Sequence, residues 1–204
     1  MAYDYREGKK RVIEILNNRL EVIEPTGIPN DQEFTFDNGY YCWVTGLFVN
    51  IRDSSKLFAT SDKVTVSKII RSFTSEIIEI LRENSNNREI GIRGDCVYSI
   101  YNSPTKDSIY DIVDLAVYIN TYMKMLSKIL TQRKIPNISV GIGIATSQEL
   151  IIKAGRKNSG INSKVWIGKA VTGASNLSSV GNKNDIGPIV ISRITYDTVI
   201  NRFL

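Results

Sequence analysis

The sequence predicts an α+β fold, with helices covering one face of a mainly antiparallel sheet. Three observations carry this. The run Tyr40 to Arg52 is β-branched and aromatic, with Tyr41, Trp43, Val44, Leu47, Phe48, Val49 and Ile51. Apolar residues recur at helical spacing in two later stretches, through Val66, Ile69, Ile70, Phe73, Ile77 and Leu81, and through Ile109, Ile112, Leu115, Ala116, Ile119, Met123, Leu126 and Leu130. These segments alternate as β-α-β-β-α-β, the order of a ferredoxin-like αβ sandwich, with further strands and a helix added after it.

Each element has its own signal. Val12, Ile13, Leu16 and Leu20 give an N-terminal helix over Glu7 to about Leu20. Pro25, Gly27, Pro29, Asn30 and Asp31 make Glu24 to Asn38 a loop. The chain therefore divides into an extension, 1–39, and one domain, 40–204. The strand Tyr40 to Arg52 ends at Asp53-Ser54-Ser55, which suits a helix start, and Ser61-Asp62 opens the next helix. Glu89 to Ile92 and Val97 to Tyr101 form a hairpin tipped by Gly94-Asp95. A helix over Ser108 to Gln132 stops before Pro136. Ser139 to Ala145, Leu150 to Lys153 and Lys164 to Ile167 read as three strands, with a Gly/Asn/Ser loop, Gly155 to Ser163, before the last. Gly168 to Val180 is a helix rich in small residues, Pro188 to Ser192 a strand and Arg193 to Phe203 a final helix.

Composition narrows the chemistry. The chain has no histidine, which excludes Ser-His-Asp and Cys-His hydrolysis and His-ligated zinc. Cys42 and Cys96 lie in apolar segments without metal-type spacing and read as buried free thiols. The net charge of +5 suits an anionic ligand such as a nucleotide, or solubility alone. No basic tract is dense enough for nucleic acid. The polar start and the lack of any long apolar run predict a soluble, cytoplasmic protein with no membrane span.

Two segments concentrate the polar chemistry, Asn50-Ile51-Arg52-Asp53-Ser54-Ser55 and Gly91-Ile92-Arg93-Gly94-Asp95. In this fold the long strand and the hairpin can lie side by side, so a strand-end carboxylate and a hairpin-tip carboxylate converge. Oxygen ligands meeting at one point suit magnesium or manganese carrying a phosphate chain. A solvated turn is the alternative for each acidic residue taken alone.

These segments resemble the signature of the class III nucleotidyl cyclases. Leu47 to Ser55 resembles the hydrophobic strand, Asp-Ile and turn of that family, and Gly91 to Tyr98 its Gly-Asp hairpin. Val140 to Thr146 resembles its Gly-Ile-Gly strand, and Val165 to Val171 its Ile-Gly-x-x-Val-Asn stretch. The Ser54-Ser55-Lys56 and Gly168-Lys169-Ala170-Val171 segments look closest to the pyrimidine cyclases of the bacterial Pycsar antiphage system.

The resemblance implies a head-to-tail homodimer that closes UTP, or CTP, into a 3′,5′-cyclic nucleotide read by a separate effector. It implies two Mn2+ or Mg2+ per site, held by residue 50, the Ile51 carbonyl and Asp95. Thr172 and Asn176 come from the other subunit, and Arg52, Asp53, Ser54, Ser55, Arg93, Val165 and Trp166 surround the nucleotide. The family's purine-reading Lys and Asp fall on Gly91 and Val165.

Three departures matter. Asn50 stands where the family has a metal-binding Asp, Thr172 where it has Asn, and Asn176 where it has Arg. An uncharged residue 50, natural or engineered, predicts a silenced site, and a catalytically silent nucleotide-binding module is the alternative reading. Arg93, two residues before Asp95 and so expected on the same strand face, donates only. It suits the two carbonyls of uracil, unless it pairs with Glu89 at the surface.

Overall fold

The computed structural model describes residues 2–157 and 159–200. In chain order the elements are α1 (Tyr5–Asn17), β1 (Glu21–Ile23), one 3-10 turn (Asp31–Glu33), β2 (Asn38–Ile51), α2 (Ser54–Thr60), α3 (Lys63–Arg82), β3 (Asn87–Arg93) and β4 (Cys96–Asn102). They continue with α4 (Lys106–Gln132), β5 (Val140–Gly155), β6 (Asn162–Gly168), α5 (Lys169–Val180), β7 (Ile189–Ile191) and α6 (Arg193–Val199). The sheet runs β3-β4-β2-β5-β6, all antiparallel, with short β1 and β7 added in parallel to β2 and β5. None of the described helices is long and apolar enough to cross a membrane.

Local chemistry sets the helix starts. The Asp62 carboxylate accepts from the Val64 and Thr65 amides at the head of α3, and the Thr105 hydroxyl accepts from Ser108 at the head of α4. Ile69, Phe73, Ile77 and Leu81 make the buried stripe of α3. With the stripe of α4 it covers one face of the sheet, against Leu47, Val49, Ile51, Val97, Ile142 and Ile144.

Alternation sends Val44, Phe48 and Asn50 to the opposite face, and there the structure departs from the expectation that helices cover one face only. Helix α5 lies on that second face, its Ala174 packed with Phe48 and Ala145. The approach is close because Gly141 and Gly143 of β5 offer no side chain. A Cβ on either would strike the α5 backbone at Ser178 or Ala174.

Three further differences have physical reasons. The two strands expected at Ser139 to Ala145 and Leu150 to Lys153 are one strand, β5. Thr146 to Glu149 look like a polar break, yet they stay in register with β2, and Thr146, Ser147 and Glu149 Oε1 find hydrogen bonds inside the protein. Thr146 Oγ1 bonds Thr45 Oγ1 at 2.9 Å, and Ser147 Oγ donates to Glu149 Oε1 at 2.8 Å. β1 went unforeseen because its three residues are all exposed and show no alternation. The final helix is seen to Val199, and the remainder expected up to Phe203 lies outside the described residues. α1 stands at the surface with Ile15 and Leu16 exposed.

Candidate active site

The hairpin tip closes on the end of the long strand, as the sequence anticipates. Arg93 pairs with Cys96 across a two-residue turn, in which Gly94 takes φ 62°, a value open to glycine. The Ile51 amide donates to the Asp95 carbonyl at 3.1 Å. Asn50 pairs with Cys96 and, on its other side, with Gly141. Asn50, Ile51 and Asp95 therefore meet at one corner of the second face.

Two features of this corner suit a hard cation. Asn50 Oδ1 is buried without a hydrogen-bond partner, an acceptor in want of a donor or a metal. Asp95 beside it keeps a half-buried carboxylate. No group of three His, Cys, Asp or Glu side chains gathers among the described residues, so the donors here are one carboxylate, one carboxamide oxygen and one carbonyl. That set fits a divalent cation with fewer charges than two carboxylates would supply.

Arg52 has another task than the one foreseen. The residue is only 8% exposed. Its Nη1 donates to the Ser179 carbonyl at 2.6 Å, and its Nη2 to the Asn50 carbonyl at 3.2 Å. It staples the end of β2 to the end of α5 and is not an open ligand for phosphate. Burial lowers its pKa, while the carboxylates of Asp53 and Asp95 act the other way, which places both near the guanidinium. Asp53 is exposed and left-handed, at φ 52° and ψ 32°, and turns the chain from β2 into α2. Ser54 and Ser55 form the first turn of α2, where helix geometry leaves N–H groups free of intrahelical partners.

The wall beyond the corner was less legible. Arg93 does share the Asn50 face, though through its register with Cys96, since Asp95 lies in the turn and off the strand. Its guanidinium is exposed. Glu89, the alternative partner for Arg93, is engaged elsewhere. Its Oε1 accepts from the Tyr98 hydroxyl at 2.9 Å and its Oε2 from Trp166 Nε1 at 2.8 Å. Tyr98 also stacks on Phe48, with centroids 5.1 Å apart. The Tyr98 ring fills the space beside Gly91, where a Cβ would strike it. Trp166 reaches this network, whereas Val165, next along β6, alternates to the other side of that strand. Sequence reasoning missed Glu89, Tyr98 and Phe48, because no local pattern links residues that meet only through the sheet.

Thr172 and Asn176 lie one turn apart on α5, both exposed, on the side away from the sheet-facing Ala170, Ala174 and Ser178. The Thr172 hydroxyl donates to the Gly168 carbonyl at 3.0 Å. The structure thus brings Asn50, Ile51, Asp95 and Arg93 together, and presents Thr172 and Asn176 outward.

Comparison with known proteins follows this geometry. A curated uridylate cyclase of Treponema porcinum is 56% identical over 196 residues, which are 96% of this chain and 68% of that protein. A curated uridylate cyclase of Gulbenkiania mobilis is 28% identical over 189 residues, covering 89% of this chain and 73% of that protein. The crystal structure of the adenylyl cyclase CyaB from P. aeruginosa superposes with a TM-score of 0.70 at 21% identity, over 80% of this chain and 83% of that one. Residues 38–201 match the family described as the adenylate and guanylate cyclase catalytic domain, and the chain belongs to that class III cyclase family.

Proposed function

We propose that this chain is a pyrimidine nucleotide cyclase that converts UTP into 3′,5′-cyclic UMP and pyrophosphate. The observation that carries the reading is the closure of the Asp95 hairpin tip on Asn50 and Ile51, in a chain 56% identical to a uridylate cyclase. In the reaction the ribose 3′-oxygen bonds to the α-phosphorus and loses its proton. The bond from the α-phosphorus to the bridging oxygen breaks, and pyrophosphate leaves with the electron pair.

Asp95, Asn50 Oδ1 and the Ile51 carbonyl would hold Mn2+ or Mg2+, two per site, and the bound cations would supply acidity to the 3′-hydroxyl and offset the triphosphate charge. The chain's own groups do the rest. The first amides of α2, at Ser54 and Ser55, and the nearby turn at Asp53 receive the phosphates. Arg93 offers its donor fork to the two carbonyls of uracil. Thr172 of a partner subunit, its proton engaged by the Gly168 carbonyl, accepts from a ribose hydroxyl, and its Asn176 donates to a phosphate oxygen. Trp166 closes the wall of the pocket through Glu89, and Val165 lies behind it. The protein works as a cytoplasmic homodimer, and its product is the second messenger for a separate effector in antiphage defence.

Asn50 favours a second reading, a domain that binds nucleotide without turning it over, because the residue adds no charge to the cation site. One panel separates the readings: each of the four nucleoside triphosphates with manganese, and mass spectrometry of the product, for the chain with and without Asn50→Asp. Cyclic UMP is expected. Cyclic CMP alone would move the assignment to a cytidylate cyclase, and cyclic AMP or GMP would overturn the pyrimidine reading. Binding without product in both chains would establish the silent module.

A further inference from the structure

A buried carboxyl lies at the root of α5. Glu149 is 0% exposed. It sits in β5 directly opposite Gly168, the residue that precedes α5. Gly168 has no side chain with which to cap the helix, and no cap bond comes from that position. The missing cap arrives from β5. Glu149 Oε1 accepts from the Ala170 amide at 2.6 Å, and Ser147 Oγ accepts from the Lys169 amide at 3.2 Å while donating to Glu149 at 2.8 Å. A Cβ on Gly168 would collide with the Glu149 carboxyl, so the glycine and the glutamate require each other.

The second carboxyl oxygen, Oε2, is buried with no partner. A buried polar atom left unpaired costs stability, so the arrangement asks for a reason. The reason lies one turn on. Thr172 hangs its hydroxyl on the Gly168 carbonyl, and the Gly168–Ala170 segment is what Glu149 and Ser147 hold.

We propose that Glu149 is a positioning residue, which fixes the first turn of α5 and through it the Thr172 hydroxyl that this chain presents to the site of a partner subunit. This rests on the cyclase reading given above. Burial raises the pKa of Glu149, against the hydrogen bonds from Ala170 and Ser147 that lower it, and glutamine would offer the same acceptor oxygen at the same place.

The test uses the full chain carrying Asn50→Asp, with Mn2+ and UTP, and compares Glu149→Ala with Glu149→Gln. In the alanine variant kcat should fall about 10- to 100-fold, the scale of a misplaced catalytic group, with KM essentially unchanged. Amides from Ala170 to Thr172 should lose protection in hydrogen exchange, while the β2–β5 ladder keeps its own. The glutamine variant should restore both. The proposal is overturned if alanine leaves kcat intact, if glutamine fails as alanine does, or if the α5 amides keep their protection in alanine. Should Glu149→Ala not fold, Ser147→Ala, which removes the Lys169 acceptor, is read by the same measures. Should no nucleotide yield a cyclic product even in the parent, the cyclase reading fails, and the exchange data alone decide whether Glu149 holds α5.

Discussion

Trp166 Nε1 donates to Glu89 Oε2 at 2.8 Å, joining β6 to β3, the two ends of the sheet path. Strands at opposite ends touch only because the sheet curls. Removing the donor while keeping an aromatic ring should therefore loosen the curl. Trp166→Phe should cost about 1–3 kcal/mol in urea unfolding, the penalty for stranding a half-buried carboxylate oxygen. In an Glu89→Ala background the same change should cost little. Equal costs in both backgrounds would show that the bond does not couple the two strands.

Asn50→Asp adds a negative charge to the proposed cation site. Turnover should rise at least about 100-fold, the scale on which a recovered metal ligand acts. Steady-state kinetics in manganese check this, and equal rates in the two chains would remove residue 50 from the cation site.

In the proposed dimer Thr172 and Asn176, which face away from the sheet, serve the partner subunit's site. With Asn50→Asp in every chain, Asp95→Ala mixed with Thr172→Ala/Asn176→Ala should recover one working site per heterodimer, where each variant alone is silent. Light scattering should find a dimer at micromolar concentration. An active, strictly monomeric protein would contradict the shared site.

Arg93 is exposed on the Asn50 face with no acidic partner among the described residues. In the Asn50→Asp chain, Arg93→Ala should reduce UTP turnover roughly 10- to 100-fold, in line with about 1–3 kcal/mol for an unpaired polar contact. The manganese dependence should stay as it was. Unchanged kinetics on both UTP and CTP would free Arg93 from any part in reading the base.

Cys96 lies between Asn50 and Arg93 in the ladder, and burial, aided by the negative charge of Asp95, pushes its thiol up to about 11. Cys42 rises to about 11 by burial as well. Both are protonated at neutral pH, so alkylation by iodoacetamide should be slow until the protein is unfolded. The sign for stability follows. Above the ordinary 9.0 the unfolded chain ionises first, so the thiols draw the balance toward unfolding as pH rises toward 11. Alkylation of the native protein at pH 7 as fast as that of a free thiol would refute this.

Much of the fold was legible because it is written locally. Helical stripes, the Asp62 cap and the Gly94 turn each depend on residues a few positions apart. The meeting of Asn50 with Asp95 was legible too, since it follows from strand order. What escaped depends on distant partners. Thr146 to Glu149 read as a break until Thr45 and the head of α5 appear beside them. Arg52 was expected beside the nucleotide, and its bond to the Ser179 carbonyl depends on the end of α5, which no local pattern announces. Glu89 and Trp166 carry no shared pattern, because only the curl of the sheet brings them together.

The pairing of β2 with β5 also decides how the chain is born. These strands join from Gly39 opposite Ile152 to Ile51 opposite Val140, so everything from α2 through α4 must be looped out before they can zip. Closing such a loop is an entropic toll that β2 cannot defray with local contacts. On a translating ribosome β2 therefore emerges as a mainly apolar segment and waits, edge open, until β5 has been synthesised and released from the exit tunnel. In that interval it is a natural client for a holding chaperone and a seed for aggregation. The yield of active protein is then set by the speed and crowding of synthesis as much as by the stability of the finished domain.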